Sequence, residues 1–285
     1  MRNFSSCFSN HSIKLTTAAA PAGNTPTITS IFRARLTSGK PLISKLTWYM
    51  NQTDPSLSIT VDDNLDFNNP WKTTSMDSQL LRKKKGTLSF LTSSSSGSLH
   101  WDFSAARYQQ GRPEPTENFY FALIIDDEIA LLLGDKSGEF LKRSNENLPI
   151  AEFSLLCRRE EVVGRSLNSI TRAKFGEAGK DHEISIRCRE GGWDGKEAEL
   201  LVSIDKKRVV HVVKLNWNFR GNETIFVDGL PVDMMWDMHG WWFGSLAGHA
   251  VFLFRQRRKL ETRLWLEEKE TLGFSLLIQA FRSTF

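Results

Sequence analysis

Apolar and polar residues alternate with a period of two along many short stretches of this chain. Clear examples are Ile31–Leu36, Leu46–Met50, Leu57–Val61 and Leu99–Phe103. Successive side chains of a strand point to opposite faces, so this alternation indicates half-buried β-strands. Turn residues separate the stretches, and no amphipathic stretch is long enough to indicate a helix of several turns. The pattern predicts roughly a dozen or more short strands with little or no helix.

Two neighbouring stretches are apolar on both faces. Phe119–Ile125 and Ile129–Leu133 consist almost entirely of apolar residues, and Asp126-Asp127 lies between them. A strand without a polar face is expected where other layers cover both of its sides. These segments are therefore predicted to be central strands joined by a turn.

The region after residue 150 repeats the strand pattern in shorter pieces. Ser154–Cys157 and Glu160–Val163 are predicted to be two short strands. In the polar residues 134–149 before them, Glu139–Arg143 is predicted to form one helical turn and no longer helix.

Together these patterns predict an all-β fold, an antiparallel β-sandwich of jelly-roll type. Residues 1–30 are predicted to form a disordered N-terminal tail, because residues 18–26 contain no core-forming side chains. Residues 31–285 are predicted to form a single β-sandwich domain, since no linker rich in proline and glycine marks a boundary. The alternative is two domains that divide near residue 145.

Leu215–Phe243 is the segment that carries the most information. It contains four of the nine tryptophans, and Asp228-Gly229 between apolar residues predicts a tight β-hairpin. Large aromatic side chains are usually buried. Trp217 and Trp236 are therefore predicted to be core residues.

The residues that follow the hairpin are the candidates for a ligand or partner surface. Continued alternation would place at least one of Trp241 and Trp242 on an outer face, where a large apolar side chain indicates binding. Asp237 and His239 could add a carboxylate and an imidazole to the same face. Burial of both tryptophans in the core is the interpretation that their size favours.

The composition is that of an ordinary globular protein, with 40% apolar and 25% charged residues and a net charge of +4. Three cysteines cannot form a disulfide framework. Cys157 and Cys188 are predicted to be small buried residues in a reducing compartment, with a single bridge between them as the alternative. No run approaches the roughly twenty apolar residues that a membrane-spanning helix requires.

The N-terminal segment is the only candidate for a targeting signal. Residues 1–53 contain no acidic residue, carry six lysines and arginines, and are rich in Ser, Thr and Ala. This composition is typical of organellar transit peptides. The favoured prediction is a cytoplasmic protein that can also reach the nucleus, and the alternative is chloroplast import through this segment.

Five segments of the chain resemble a plant protein family known only as the domain of unknown function numbered eight-six-eight. They are MRNFSSCF (1–8), LRKKKGTLSF (81–90), GRPEPTENFYFALIIDDEIALLLGD (111–135), FRGNETIFVDGLPVDMMWDMHGWWF (219–243) and RLWLEEKE with GFSLLIQAF (263–281). The resemblance covers essentially the whole chain and implies a plant protein, but it implies no activity, ligand or catalytic residue. After Trp48 the chain departs from the family's glycine-bearing turn.

Acidic residues near the hairpin allow one enzymatic alternative. Asp233 and Asp237 could share one face of a strand, and paired carboxylates are the machinery of glycosidase-like hydrolases. Solvated carboxylates, or carboxylates paired with Arg220, are the favoured interpretation. The six histidines lack metal-ligand spacing, and the chain contains no nucleophile elbow, phosphate-binding loop or dinucleotide fingerprint. No catalytic residue, metal or cofactor is predicted.

Two basic clusters provide a further alternative, a patch that binds nucleic acid or anionic lipid. If they met on one surface, they could contact phosphates. Lysines at sheet edges also prevent aggregation, which is the simpler explanation. The residues are Arg82, Lys83, Lys84, Lys85, Arg255, Arg257, Arg258 and Lys259.

The hypothesis favoured by the sequence is a non-catalytic β-sandwich module that binds a protein or a carbohydrate-like ligand near the hairpin. It rests on the abundance of aromatic residues and on the lack of catalytic motifs.

Overall fold

The computed structural model describes residues 26–51, 54–62, 74–76, 83–92, 94–143, 148–176, 179–191, 197–244, 248–257 and 273–283. These residues form nineteen strands and two short helices. The first ten strands are β1 (Thr27–Arg35), β2 (Pro41–Asn51), β3 (Asp54–Asp62), β4 (Thr74–Met76), β5 (Lys85–Leu91), β6 (Ser96–Asp102), β7 (Arg107–Tyr108), β8 (Pro115–Glu117), β9 (Tyr120–Ile125) and β10 (Glu128–Leu133). Then follow α1 (Ser137–Arg143), β11 (Glu152–Gly164), β12 (Asn168–Lys174), β13 (Asp181–Arg189), β14 (Glu199–Ile204), β15 (Lys207–Val212), β16 (Arg220–Val227), β17 (Leu230–Asp237), α2 (His239–Phe243), β18 (His249–Gln256) and β19 (Ser275–Arg282).

A nine-stranded sheet runs through both halves of the chain in the order β16-β17-β18-β19-β11-β1-β2-β3-β4. Neighbouring strands are antiparallel except β11 and β19, which pair in parallel with Cys157 opposite Ser275. The central strand β11 is a single strand of thirteen residues, so the prediction of two short strands was wrong. Arg158 and Arg159 remain in the ladder because acidic partners pair with their guanidinium groups.

Two four-stranded sheets cover this long sheet and define two cores. The first covering sheet, in the order β10-β9-β6-β5, packs on β1 to β3 through residues such as Leu46, Ile59 and Phe121. The second, in the order β12-β13-β14-β15, packs on β16 to β19 through Val202 and Phe252. Burial of apolar side chains between the layers is the main stabilising contribution in such a sandwich.

The prediction for the strand that is apolar on both faces is confirmed. All six residues of β9 are buried. Phe121 lies in the first core, whereas Tyr120 and Ile124 face the other way and form a small third cluster with Phe140 of α1. The short helix therefore covers the outer side of the first covering sheet.

The all-β fold is confirmed. The strand order differs from that of a jelly roll, because most neighbours in the sheets are consecutive hairpin strands rather than Greek-key partners. Strand β1 begins at Thr27, four residues before the expected start of order.

A cluster of charged side chains is buried where the two cores meet. Glu160 on β11 stands in register between Ile28 of the first core and Ile278 of the second, and its side chain is 1% exposed. Its Oε1 accepts hydrogen bonds from Arg112, Arg158 and Thr171, with lengths of 2.6, 2.8 and 2.6 Å respectively. The guanidinium of Arg158 also donates two hydrogen bonds to the carboxylate of Glu114.

Burial alone would raise the pKa of Glu160, but the guanidinium groups of Arg158 and Arg112 outweigh this effect and lower it. Two arginines and two glutamates therefore lie together as ions at the boundary between the cores. The sequence offered a weak signal for this cluster, the alternation of charged residues and prolines in Arg112-Pro-Glu-Pro115.

Candidate binding surface

The chain leaves β17 through a short helix rather than a continued strand. The fully buried Met238 directly precedes α2, and the carboxylate of Asp237 accepts a hydrogen bond of 2.9 Å from the backbone N–H of His239. Gly240 lets the helix approach β18, because a Cβ at this position would lie 2.6 Å from the ring of His249. The expected alternation of residues 239–243 was therefore wrong, since side chains follow a helical period there.

The helix turns Trp241 into the second core. Its side chain is 2% exposed, and the guanidinium of Arg282 lies 4.8 Å from the ring centroid. Trp241 is thus not part of a ligand surface, which corrects the prediction. Trp242 is half-buried and packs against the same core, and its indole N–H has no hydrogen-bond partner.

The two other tryptophans of the segment differ from each other. Trp236 is a core residue as predicted, and its indole N–H donates a 3.0 Å hydrogen bond to the carbonyl of Asn218. The prediction that Trp217 is buried was wrong, because its side chain is 84% exposed. It lies in the turn after β15, where its N–H donates to the carbonyl of Lys214, outside the layers that the described strands form.

An aromatic cluster lies beside the start of α2. The ring centroids of Phe219, His239 and Phe243 are 5.2 to 5.6 Å apart, and their planes are inclined by 47° to 79°. Phe243 is 58% exposed and His239 is exposed. We call these three residues, together with the exposed Trp217 two positions before Phe219, the aromatic surface.

An ion pair borders the aromatic surface. The Nε of Arg220 donates a 2.9 Å hydrogen bond to Asp237, and its guanidinium lies 5.6 Å from the ring centroid of Phe219. Asp237 and His239 lie beside these aromatic side chains, and their role in binding remains a prediction. The sequence did not single out Phe219 and Phe243, and it predicted Trp217 to be a core residue.

The paired carboxylates of β17 give the glycosidase alternative no support. Asp237 accepts hydrogen bonds on one oxygen from Arg220 and on the other from the N–H of His239. Asp233 accepts bonds from Thr224 and Arg257 on one oxygen and from Arg257 on the other. All four oxygens are therefore engaged by the chain itself rather than directed at a shared substrate.

The described parts of the two basic clusters lie on different sheets. Lys83, Lys84 and Lys85 are at the start of β5, whose apolar side chains join the first core, whereas Arg255 and Arg257 end β18 in the second. Lys85 pairs with Asp102 at 3.1 Å, and Arg257 pairs with Asp233. Arg82, Arg258 and Lys259 lie outside the described residues. A single phosphate-binding patch finds no support among the described residues.

A buried histidine, His182 on β13, holds two turns together as a clamp at one end of the second core. The Nδ1 of His182 lies 2.7 Å from a carboxylate oxygen of Asp205, and its Nε2 lies 2.9 Å from a carboxylate oxygen of Asp228. Asp205 lies in the turn between β14 and β15, and Asp228, with a φ of 49°, begins the predicted hairpin turn with Gly229. The hairpin is confirmed, and its turn is held by an ionic contact from outside the hairpin.

The clamp should make stability depend on pH. Burial alone would lower the pKa of His182, but its hydrogen bonds to Asp228 and Asp205 raise it above 6.5. The stabilisation is therefore fully present below pH 6.5 and is lost as pH rises through the raised value. It is also lost in acid, because the bond to His182 lowers the pKa of both aspartates from 3.8.

Urea unfolding of the wild type and His182→Gln at several pH values measures this effect. We expect the difference in unfolding free energy to be largest between about pH 4 and 6.5 and to shrink at higher pH. His211→Gln, at an exposed position of β15, is the control and should show a smaller dependence. A difference that stays constant between pH 5 and 9 would contradict the clamp.

The described residues contain no group of three potential metal ligands. Cys157 and Cys188 are both free thiols, so the alternative of a bridge between them is excluded. Burial raises the pKa of Cys188 to about 12, and the nearby Glu190 adds to the shift. None of the helices in the described ranges is long and apolar enough to cross a membrane.

Comparison with known proteins gives one match. The model of a family described as plant protein of unknown function (DUF868) matches residues 23–282. Neither the curated proteins nor the solved structures contain a match.

Proposed function

The chain belongs to the plant protein family of unknown function DUF868, and from its own geometry we propose that it is a non-catalytic binding module. The proposed docking site is the aromatic surface formed by Trp217, Phe219, His239 and Phe243. The partner we propose is a protein, and a carbohydrate-like ligand is the second candidate.

The observation that carries this proposal is the exposure of Trp217 and Phe243. Leaving large apolar side chains in water forfeits roughly 1.5–3 kcal/mol per side chain compared with burying them. Contiguous exposed apolar side chains usually mark interaction surfaces. The ion pair of Arg220 and Asp237 at the border of the aromatic surface adds groups that can form hydrogen bonds with a partner. Tryptophan and arginine are also enriched among the residues that dominate binding energies.

The inclination of the rings favours a protein over a sugar. A sugar ring stacks on a flat face, whereas the planes of Phe219 and Phe243 are inclined by 79° and present an edge. An irregular aromatic surface suits the side chains of a protein, which fill uneven pockets. The ion pair at the border would then form part of the polar rim.

The decisive experiment compares the double variant Trp217→Ala/Phe243→Ala with the wild type in affinity purification from plant tissue. We expect recovery of the specific partner to fall about tenfold or more, because removal of central aromatic anchors typically costs at least about 2 kcal/mol of binding. The control is Phe226→Ala, on β16 of the same hairpin. Its side chain is 73% exposed but does not belong to the aromatic surface.

A panel of plant polysaccharides, tested with the same three proteins, separates the two ligand classes. Loss of polysaccharide binding in the double variant alone would identify a carbohydrate ligand. Equal recovery of every partner by all three proteins, with unchanged circular dichroism, would remove the aromatic surface as the docking site.

The domain organisation, the cellular compartment and the class of partner remain proposals. The sheet shared by both halves supports a single domain for residues 31–285. The two free thiols support a reducing compartment, the cytoplasm or nucleus. Nothing in the described residues favours nucleic acid or anionic lipid over a protein partner.

A further inference from the structure

Strand β5 forms an open edge of the first covering sheet. It is the last strand in the order β10-β9-β6-β5, and none of the other described strands pairs with its outer side. Two backbone hydrogen bonds, from Thr92 N–H to Ser95 C=O and from Phe103 N–H to Lys84 C=O, show which residues of β5 bond to β6. Between two antiparallel strands, hydrogen-bonded residue pairs alternate with pairs that are not hydrogen-bonded. Even-numbered residues of β5 thus bond to β6. The odd-numbered ones direct their N–H and C=O groups outward.

The middle of this edge lacks the usual protection against pairing. Natural edge strands are protected by proline, bulges or charged side chains. From Gly86 to Leu91 the strand contains none of these, and its register with β6 is regular. Leu88 and Phe90 pack on the first core but are only half-buried, so the core is open along this edge.

The two ends of the edge carry opposite charge. Lys83 and Lys84 are exposed at its start, whereas Lys85 is paired with Asp102. At the other end lie Asp126 and the exposed Asp127.

Asp126 belongs to that end because it accepts hydrogen bonds from Ser95 Oγ and Ser96 N–H, at 2.6 and 3.0 Å. The ammonium of Lys40 contacts Ser94 and Ser95 there and offsets one of the two carboxylates. The start of the edge is therefore positive on balance, and its end is negative.

We propose that a second copy of this chain pairs with this edge, strand β5 against strand β5, antiparallel about a two-fold axis at Ser89. An antiparallel pair places the start of one strand beside the end of the other, so the basic end of each copy meets the acidic end of its partner. A two-fold contact of this kind is self-complementary. The first covering sheets of the two copies then become one continuous sheet of eight strands.

The same register also covers the open edge of the first core in each copy. With Ser89 opposite the partner's Ser89, Leu88 lies opposite the partner's Phe90. Lys84 then lies next to the turn that follows the partner's β5, where the partner's Asp126 and Asp127 are located. Aromatic and aliphatic residues that face each other across strands stabilise a sheet. Charge pairing and apolar contacts therefore favour the same alignment of the two copies. This dimer is independent of the aromatic surface.

Sedimentation of the full chain between about 1 and 100 μM tests the dimer, since constants in this range are measurable. Wild type should shift from monomer to dimer, and Ser89→Pro should weaken association by about tenfold or more, because it removes an outward N–H.

The control is Asn222→Pro on β16, an edge strand of the nine-stranded sheet. The bond from Met238 N–H to Phe219 C=O makes Asn222 an outward residue there, so this variant should dimerise like wild type. A wild type that stays monomeric, or Ser89→Pro that dimerises unchanged, would overturn the proposal.

A charge exchange distinguishes self-pairing from the binding of another strand. Lys84→Glu and Asp127→Lys should each weaken the dimer about tenfold, and the double variant should regain most of the affinity, because each swapped end meets a swapped partner. Circular dichroism checks that all three variants fold. A double variant weaker than either single variant would overturn the two-fold pairing.

Discussion

Replacing Arg158 with leucine is expected to lower the free energy of unfolding by about 3–5 kcal/mol, as is typical when one partner of a buried ion pair is removed. Arg158 donates to Glu160 and to Glu114 at once. Without it, Glu160 keeps Arg112 and Thr171, but one of the two cations that offset its burial is gone. Its Oε2 already has no hydrogen-bond partner, so the cluster has little capacity to rearrange.

Urea unfolding near pH 7 measures the loss, and Arg107→Leu is the matched control. Arg107 also pairs with a glutamate, Glu117, but both side chains are largely exposed. Exposed pairs contribute up to about 1 kcal/mol, so the control should stay near wild type. Similar values for the two variants would contradict an essential buried cluster.

The pH dependence of the same comparison gives a second criterion. The pKa of Glu160 is held below 4.5 by Arg158 and Arg112, so the contribution of the ion pairs is present above pH 4.5 and is lost as pH falls through the lowered value. The gap between wild type and Arg158→Leu should therefore narrow in acid. A gap that widens below pH 4 would argue against an ionised Glu160.

Replacing Trp241 with alanine is expected to cost about 3–5 kcal/mol of unfolding free energy, in the range for truncation of a buried aromatic side chain. The ring fills space between α2 and the second core, and Arg282 stacks on it. The variant would lose binding by losing its fold. Trp241 is therefore unsuitable for mapping a ligand site.

Two comparisons make this prediction specific. Trp241→Phe should cost less than half as much, because a phenyl ring still fills most of the space and the indole N–H that is lost has no hydrogen-bond partner. Trp217→Ala should change stability by less than about 0.5 kcal/mol, as expected for an exposed residue. If Trp217→Ala proved more destabilising than Trp241→Ala in thermal unfolding, the assignment of core and surface would be reversed.

The local features of the fold were predictable from the sequence. Alternation predicted half-buried strands, residues that are apolar on both faces predicted β9, and Asp228-Gly229 predicted the hairpin that joins β16 and β17. Each depends on neighbours within a few positions, because side-chain direction repeats every two residues in a strand and a tight turn needs residues that accept a positive φ.

Only the tertiary structure decided which face of each element is covered. Trp217 and Trp241 both lie in one tryptophan-rich segment, yet one is exposed and the other buried, because a covering layer reaches only the second. Two separate short strands were predicted on either side of Arg158, but Glu114, 44 positions away, and Glu160 pair with its guanidinium and keep it in a continuous β11. Burial and ion pairing are set by contacts between distant segments, and a local pattern holds no information about those contacts.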